Sequence, residues 1–520
     1  MIHFTVYGGF LMRKLSQLFF SFIILFIGLT PTIASAYTTG DGTEANPYVI
    51  KTVQELKDMS LELSAHYVLD NDLDLTGVVW TPIGDETTPF TGVLDGNNHM
   101  ISNLTLTIAV SLSIEHNGSI ETNNLDTYIS GYTGLFGLID KGQVKNLILS
   151  DALVDTSAMT LAYGDLASAF MVNNIQTGLL AGRIVGDGIT TTLENVSVLS
   201  SEIKSSTLDG FSGYYILSNG VGALASSGTD MVLKGIAVSD VKIKGMDASA
   251  GFIGTVEGSV SVSDSYFIGE VYGQFDIGAF FGEAEGASDA PYELTFSITH
   301  SFAKVKLGSL TDQSIDAVGG MVAQLSGYLS ASFENVFVRG EIFSENSDDS
   351  FVGGLISNTF QIGTLSIHHA YVSVDINLSV GSYPAALFLG CDSGHYDADW
   401  NHTGYATLDL VDLHADSTIS DLTMVYSQYD PINNAIVPFE APITLHTSTE
   451  LKTLAHMTST SDFDFETIWL IDATKNDGFP TFDLIKVSDP LPDTGDHTSS
   501  LIFLSLGLGL MILSRKPQKN

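Results

Sequence analysis

Residues 131–154 read GYTGLFGLIDKGQVKNLILSDALV, and the pattern inside this stretch returns seven more times before residue 420. A glycine-rich apolar opening, Gly134-Leu135-Phe136-Gly137, leads into a run in which Val144, Leu147 and Leu149 stand at offsets 0, 3 and 5. The further sets are Leu193/Val196/Val198, Leu233/Ile236/Val238, Val262/Ser265/Phe267, Ile298/Ser301/Ala303, Phe333/Val336/Val338, Ile367/Ala370/Val372 and Leu408/Val411/Leu413. Offsets 3 and 5 put two side chains on one face of a strand, and the extra residue after offset 0 requires a bend. Another apolar residue follows at offset 10 in Ile203 and Ile243, but at offset 9 in Val271, Leu307, Ile342 and Ile376. The corner between strands therefore loses one residue from the fourth copy on.

Successive copies lie 29 to 49 residues apart, with no helical period between them. A unit of that size cannot bury its apolar face alone, so the core must come from stacking on the next copy. The expected fold is all-β, a single coil of parallel strands. A row of β-sandwiches also alternates, but explains neither the recurrent glycine openings (Gly134, Gly178, Gly251, Gly278, Gly320, Gly354) nor the unequal spacing, which a coil absorbs as loops on its outside.

Upstream, Thr52 and Glu55 form a capping box ahead of Val53, Leu56, Met59 and Leu63 at helical spacing. The acids Asp70, Asp72 and Asp74 alternate with apolar residues over 67–75, as in a strand with one wet face. They resemble a calcium loop only at its start, because Leu75 and Thr81 stand where glycine and glutamate are needed. A turn at Asp95-Gly96-Asn97-Asn98 precedes Ile101, Leu104 and Leu106. The succession GTEANPYVI, LDNDLDL, WTPIG, FTGVLDGNNHMISNLTL and GLFGLI resembles the opening of bacterial surface proteins with GLUG-type repeats. The resemblance covers about residues 40–485 and is strongest over 40–150. It implies a right-handed parallel β-helix (solenoid) with short capping helices near both ends. At the far end, Thr447 and Glu450 form a second capping box before Leu451, Leu454 and Ala455, and a segment resembling those that close such proteins follows.

Arg13 and Lys14, an apolar run from Leu18 to Leu29, and Ala34-Ser35-Ala36 make a secretory signal peptide with cleavage after Ala36; the chain starts at either Met1 or Met12. Leu491-Pro492-Asp493-Thr494-Gly495, an apolar segment from Leu501 to Leu513 and a basic tail (Arg515, Lys516, Lys519) resemble the Leu-Pro-x-Thr-Gly sorting signal of Gram-positive surface proteins. That resemblance implies cleavage by a sortase, a transient partner, and covalent attachment of Thr494 to peptidoglycan, with the membrane touched only before sorting. The expected organisation is signal peptide 1–36, N-terminal cap and first coils 37–130, repeat array 131–425, closing segment 426–485, and linker with sorting signal 486–520.

With 60 acidic against 20 basic residues and a net charge of −40, the chain is unsuited to nucleic acid or anionic lipid. Cys391 is the single cysteine, so no intrachain disulfide forms, and acids rather than bases surround it in sequence. The densest set of candidate metal ligands is His395, Asp397, Asp399 and His402, in a loop that also carries Trp400; it matches no established spacing and reads first as a solvated turn. No cofactor is expected. The His-Glu-x-x-His motif of proteases that carry similar repeats is absent. The expected function is a non-catalytic, cell-wall-anchored adhesin or display scaffold for host or matrix glycans or proteins. The alternative is a secreted polysaccharide lyase or glycoside hydrolase, which needs converging carboxylates that sequence cannot nominate among so many.

Overall fold

A computed structural model describes residues 37–482, apart from 108–110, 115–126, 158–159, 164–170, 187, 189, 206–215, 219, 246, 288–293, 310–316, 345–350, 379–384, 398, 420–421, 423, 462 and 467–468. Ala34, Ala36 and the five residues from Leu491 to Gly495 lie outside the described residues, as do the two apolar terminal segments.

The repeat positions stand in register. Val144 pairs with Leu193, and the same column continues through Leu233, Val262, Ile298, Phe333 and Ile367, every pairing parallel. Offset 5 forms a second column, from Leu149 through Val198, Val238, Phe267, Ala303 and Val338 to Val372. The two columns are almost fully buried. The lost corner residue is where the spacing places it: the register slips between Ser239 and Val241, and Ile243 then sits beside Val271, Leu307, Ile342 and Ile376. The chain is thus nearly all β, built on parallel ladders. Among the described residues, the antiparallel strand pairs are late hairpins: His395–Tyr396 with His402–Gly404, Tyr426–Asp430 with Ala435–Phe439, and Leu470–Ile471 with Pro480–Thr481.

The bend after offset 0 has one cause. Asn146, Asn195, Gly235, Asp264, His300, Asn335, His369 and Asp412, each two residues past the first position, take positive φ between 45° and 65°. Asn, Asp and Gly visit that region at least cost. Asn195 Nδ2 donates to Asn146 Oδ1 (3.1 Å), and Asn146 Nδ2 to Asp95 Oδ1 (3.0 Å), so the bends bond to one another. The left-handed residue also corrects the eighth copy. Ile367 pairs with Leu410, so the triplet is Leu410/Leu413/Ala415 rather than Leu408/Val411/Leu413. Val411 is 44% exposed. The alternation of residues 407–413 offers two phases to a reader of the sequence, and only the bend at Asp412 selects one.

The glycine openings are steric. Gly278, Gly319 and Gly353 form one ladder, and a Cβ on them would lie 1.7–2.0 Å from the carbonyl oxygen three residues on (Phe281, Val322, Ile356). The column is not glycine throughout, because Ala250 stands in it between Gly222 and Gly278, and the sequence-nominated Gly251, Gly320 and Gly354 lie one residue past it.

Both capping boxes form. The first opens a helix at Val53–Asp58, α1, which a 3-10 turn extends. The second opens Ser448–Leu451, α2, and Leu454–Thr460, α3, comes next. Beyond α3 the chain does more than close an end. Phe463, Trp469, Phe479 and Phe482 pack on Tyr266, Phe302, Phe337 and Tyr371, the offset-4 side chains of four successive copies. Asp477 pairs with Lys304 (2.8 Å) and with Arg339, whose guanidinium lies 4.8 Å from the Phe479 ring centre. Those two cations hold the Asp477 carboxyl down to about 2.

Candidate functional site

The loop nominated by sequence does not gather its ligands. His395 Nε2 faces the carbonyl of Ile362 at 2.5 Å. Asp397 Oδ1 accepts from the backbone of Asp399 and Asn401 (2.9 Å each), a local turn that holds its carboxyl below the usual range through the bonds from Asn401 first. His402 packs between Tyr396 and Tyr405, with ring centres 5.4 and 4.6 Å away. What the loop does present is Trp400, 76% exposed at a φ of 60°. Trp80, by contrast, is buried and donates to the Leu135 carbonyl (3.2 Å). Asp74 is spent on Thr76 and Asn103, and Asp72 on Met100 and His99. Burial pushes the Cys391 thiol up to about 12, so it is a protonated core side chain.

Carboxylates do converge on the strand Phe281–Glu285. Ala284 is buried, while Glu283 and Glu285 on either side of it are partly exposed. Thr255 and Gln324 flank Glu283 in register, and Glu257 neighbours Glu285. Gln324 Nε2 donates to Glu283 Oε1 (2.9 Å). Desolvation, then the charges of Glu285 and Asp247, raise Glu283 to about 7; desolvation followed by Glu257 raises Glu285. The two carboxyls are raised together, each by burial first and then by the acids beside it. Neighbouring carboxyls shifted upward by burial and by one another are the groups that general acid and base chemistry draws on. Because the folded value lies above the ordinary 4.5, the contribution to stability is complete at pH values below 4.5 and is lost as pH rises toward 7. Glu283→Gln is expected to remove about 2–3 kcal/mol of that slope. Urea melts of both proteins across that range check it; parallel pH profiles would refute the raised Glu283 carboxyl.

A second cluster escaped the sequence altogether. His414 and His446 are buried in the ladder and beneath the closing segment. Asp412 Oδ1 lies 2.9 Å from His414 Nε2, His414 Nδ1 2.9 Å from His446 Nε2, and His446 Nδ1 2.9 Å from His456 Nε2. Each contact needs one proton, so with Asp412 ionised and all three rings neutral every ring donates from Nε2 towards the carboxylate. Desolvation, then the neighbouring imidazoles, lowers His446 to about 4, and it is neutral at physiological pH. Asp416, also buried, accepts from Ser373 (3.0 Å), Ser448 (2.5 Å) and Thr418 (2.6 Å). His446, Glu450 and His456 each offer a ligand atom, and those atoms lie within 4.8 Å of one another. Residues 412–456 hold no short spacing that signals this. The available hint was His414 at the offset-4 position, four residues beyond Leu410, where the preceding copies carry aromatic rings.

No family model matches the chain. It is 30% identical over 142 residues to a candidate Gly-rich membrane protein of Evansella cellulosilytica, covering 26% of this chain and 14% of that one. It is 29% identical over 185 residues to halomucin of Haloquadratum walsbyi, covering 32% of this chain and 2% of that one. The chain therefore spans a small part of these relatives. Among solved structures, a candidate immunoglobulin A1 protease from Bacteroides ovatus superposes with a TM-score of 0.43 at 13% identity, covering 86% of this chain and 96% of that one. An IgA1 protease gives 0.37 at 14%, covering 80% and 24%.

Proposed function

We propose that this chain is a secreted surface protein, joined to peptidoglycan through Thr494, whose right-handed parallel β-helix displays loops to host or matrix glycans or proteins. The observation that carries the reading is the unbroken parallel register from Val144 to Ile367. It lies between an export-type N-terminus and the sequence Leu491-Pro492-Asp493-Thr494-Gly495. The exposed Trp400 offers a flat apolar face of the kind on which sugar rings stack. Digestion of cell walls with muralytic enzymes should yield a terminal peptide ending at Thr494 with a wall fragment attached. Thr494→Ala should release the protein to detergent; equal detergent extraction of both proteins would sink the anchoring claim.

The Glu283–Glu285 pair favours a second reading, a polysaccharide-active enzyme, because two carboxyls raised by burial and by each other stand beside Gln324 and Glu257 on partly exposed positions of one sheet face. Incubation with polysaccharides decides between them. Reducing ends or unsaturated products that vanish with Glu283→Gln support the enzyme, and saturable binding without turnover supports display.

A further inference from the structure

We propose that His446, Glu450 and His456 form a site for a divalent ion of the zinc class, joining the last parallel strand to the closing segment. The three ligands come from three successive elements: His446 ends the strand Ile443–His446, Glu450 lies in α2 and His456 in α3. Their ligand atoms already lie within 4.8 Å of one another. Two imidazole nitrogens and one carboxylate oxygen suit zinc and its transition-metal neighbours, whereas calcium and magnesium take oxygen sets. Three protein ligands leave the fourth tetrahedral position to water.

The supporting groups are in place. His446 Nε2 is held by His414, which is held by Asp412, so a carboxylate fixes the tautomer and leaves the His446 Nδ1 lone pair facing His456. Both bonds that Glu450 accepts from Thr447 fall on Oε2 (2.7 and 2.9 Å), leaving Oε1 for an ion. The His446 Nδ1 to His456 Nε2 distance of 2.9 Å is that of a hydrogen bond. Two ligand atoms on one tetrahedral zinc stand roughly 3.3 Å apart, so the imidazole pair must open by about 0.4 Å, while a ligand pair at the 4.8 Å limit must close by about 1.5 Å. On binding, the His456 Nε2 proton leaves that nitrogen and the ring becomes the Nδ1–H tautomer through solvent, with no net change in ring charge. Fixing α3 to the sheet would order the chain that leads to Phe463 and Trp469, which cover the aromatic column.

The full-length secreted chain, stripped with chelator, is dialysed against Zn²⁺, and bound metal is measured by plasma mass spectrometry. One ion per chain and a higher melting temperature are expected, together with intense visible bands of four-coordinate geometry when Co²⁺ replaces Zn²⁺. His456→Ala should abolish that uptake. Glu450→Gln retains the capping box, because glutamine serves it equally, and should keep the metal-free melting temperature while weakening zinc binding at least tenfold. Absence of stoichiometric uptake, or uptake equal in the wild type and both variants as diffuse binding by the acidic surface gives, would overturn the site.

Discussion

Val238→Asp is expected to unfold the middle of the ladder, at a cost of at least about 4 kcal/mol. Val238 is fully buried and sits in register between Val198 and Phe267, so a carboxylate there meets apolar side chains above and below. No water reaches it, and none of these neighbours donates a hydrogen bond. Val238→Ala, which leaves a gap but no charge, should cost only about 2 kcal/mol. Thermal and urea denaturation of the two variants measure the difference. Wild-type-like melting of Val238→Asp would mean that the offset-5 column does not face the core.

Trp469→Ala should cost about 3–5 kcal/mol, the range for emptying a large buried aromatic site, with its effect concentrated in the closing segment. Trp469 is 2% exposed, stacks on Phe463 (ring centres 5.6 Å apart) and meets Phe482 edge-on (5.2 Å). Without it, the cover over Tyr266, Phe302, Phe337 and Tyr371 loses its largest ring. The pairs of Asp477 with Lys304 and Arg339 are partly exposed and cannot hold the segment alone. Hydrogen exchange should accelerate over residues 452–482 and over the offset-4 positions, while amides in the Val144 to Ile367 column keep their protection. Uniform acceleration along the whole chain would show that the segment and the ladders unfold as one unit, against this expectation.

Much of the fold was legible because its determinants are local. Offsets 0, 3 and 5 specify which side chains share a face, and a one-residue slip would turn the set outward, so the apolar pattern dictates register across seven copies. The shift from offset 10 to offset 9 announced the irregularity between Ser239 and Val241. Both capping boxes were readable for the same reason, since Thr52 with Glu55 and Thr447 with Glu450 close their bonds within four residues. The eighth copy was misphased because alternation alone is degenerate, and the backbone at Asp412 was needed to choose.

The functional candidates were legible only in part. His395, Asp397, Asp399 and His402 are close in sequence, yet His395 turns to Ile362, Asp397 to the loop's own backbone and His402 to two tyrosines. Glu283 and Glu285 looked like any other pair among sixty acids, and only their burial side by side in the fold raises both carboxyls. The aromatic column at offset 4 was present in the sequence, but an outward-facing ring reads as an exposed position until a partner is known.

By itself, then, the sequence determined the parallel pairing of the copies and the helix starts, because the burial of Val144 or Leu193 and the bonds of a capping box act within one copy; of the glycines it marked, Gly278 stands in the tight corner while Gly320 and Gly354 lie one residue past it. Only the tertiary structure decided that Phe463 to Phe482 fold back across four copies and that Asp412, His414, His446 and His456 meet in one chain of hydrogen bonds. Those contacts join residues from 2 (Asp412 and His414) to 180 apart (Phe302 and Phe482), and their existence depends on where the closing segment's path ends against the ladder, which no spacing along the chain encodes.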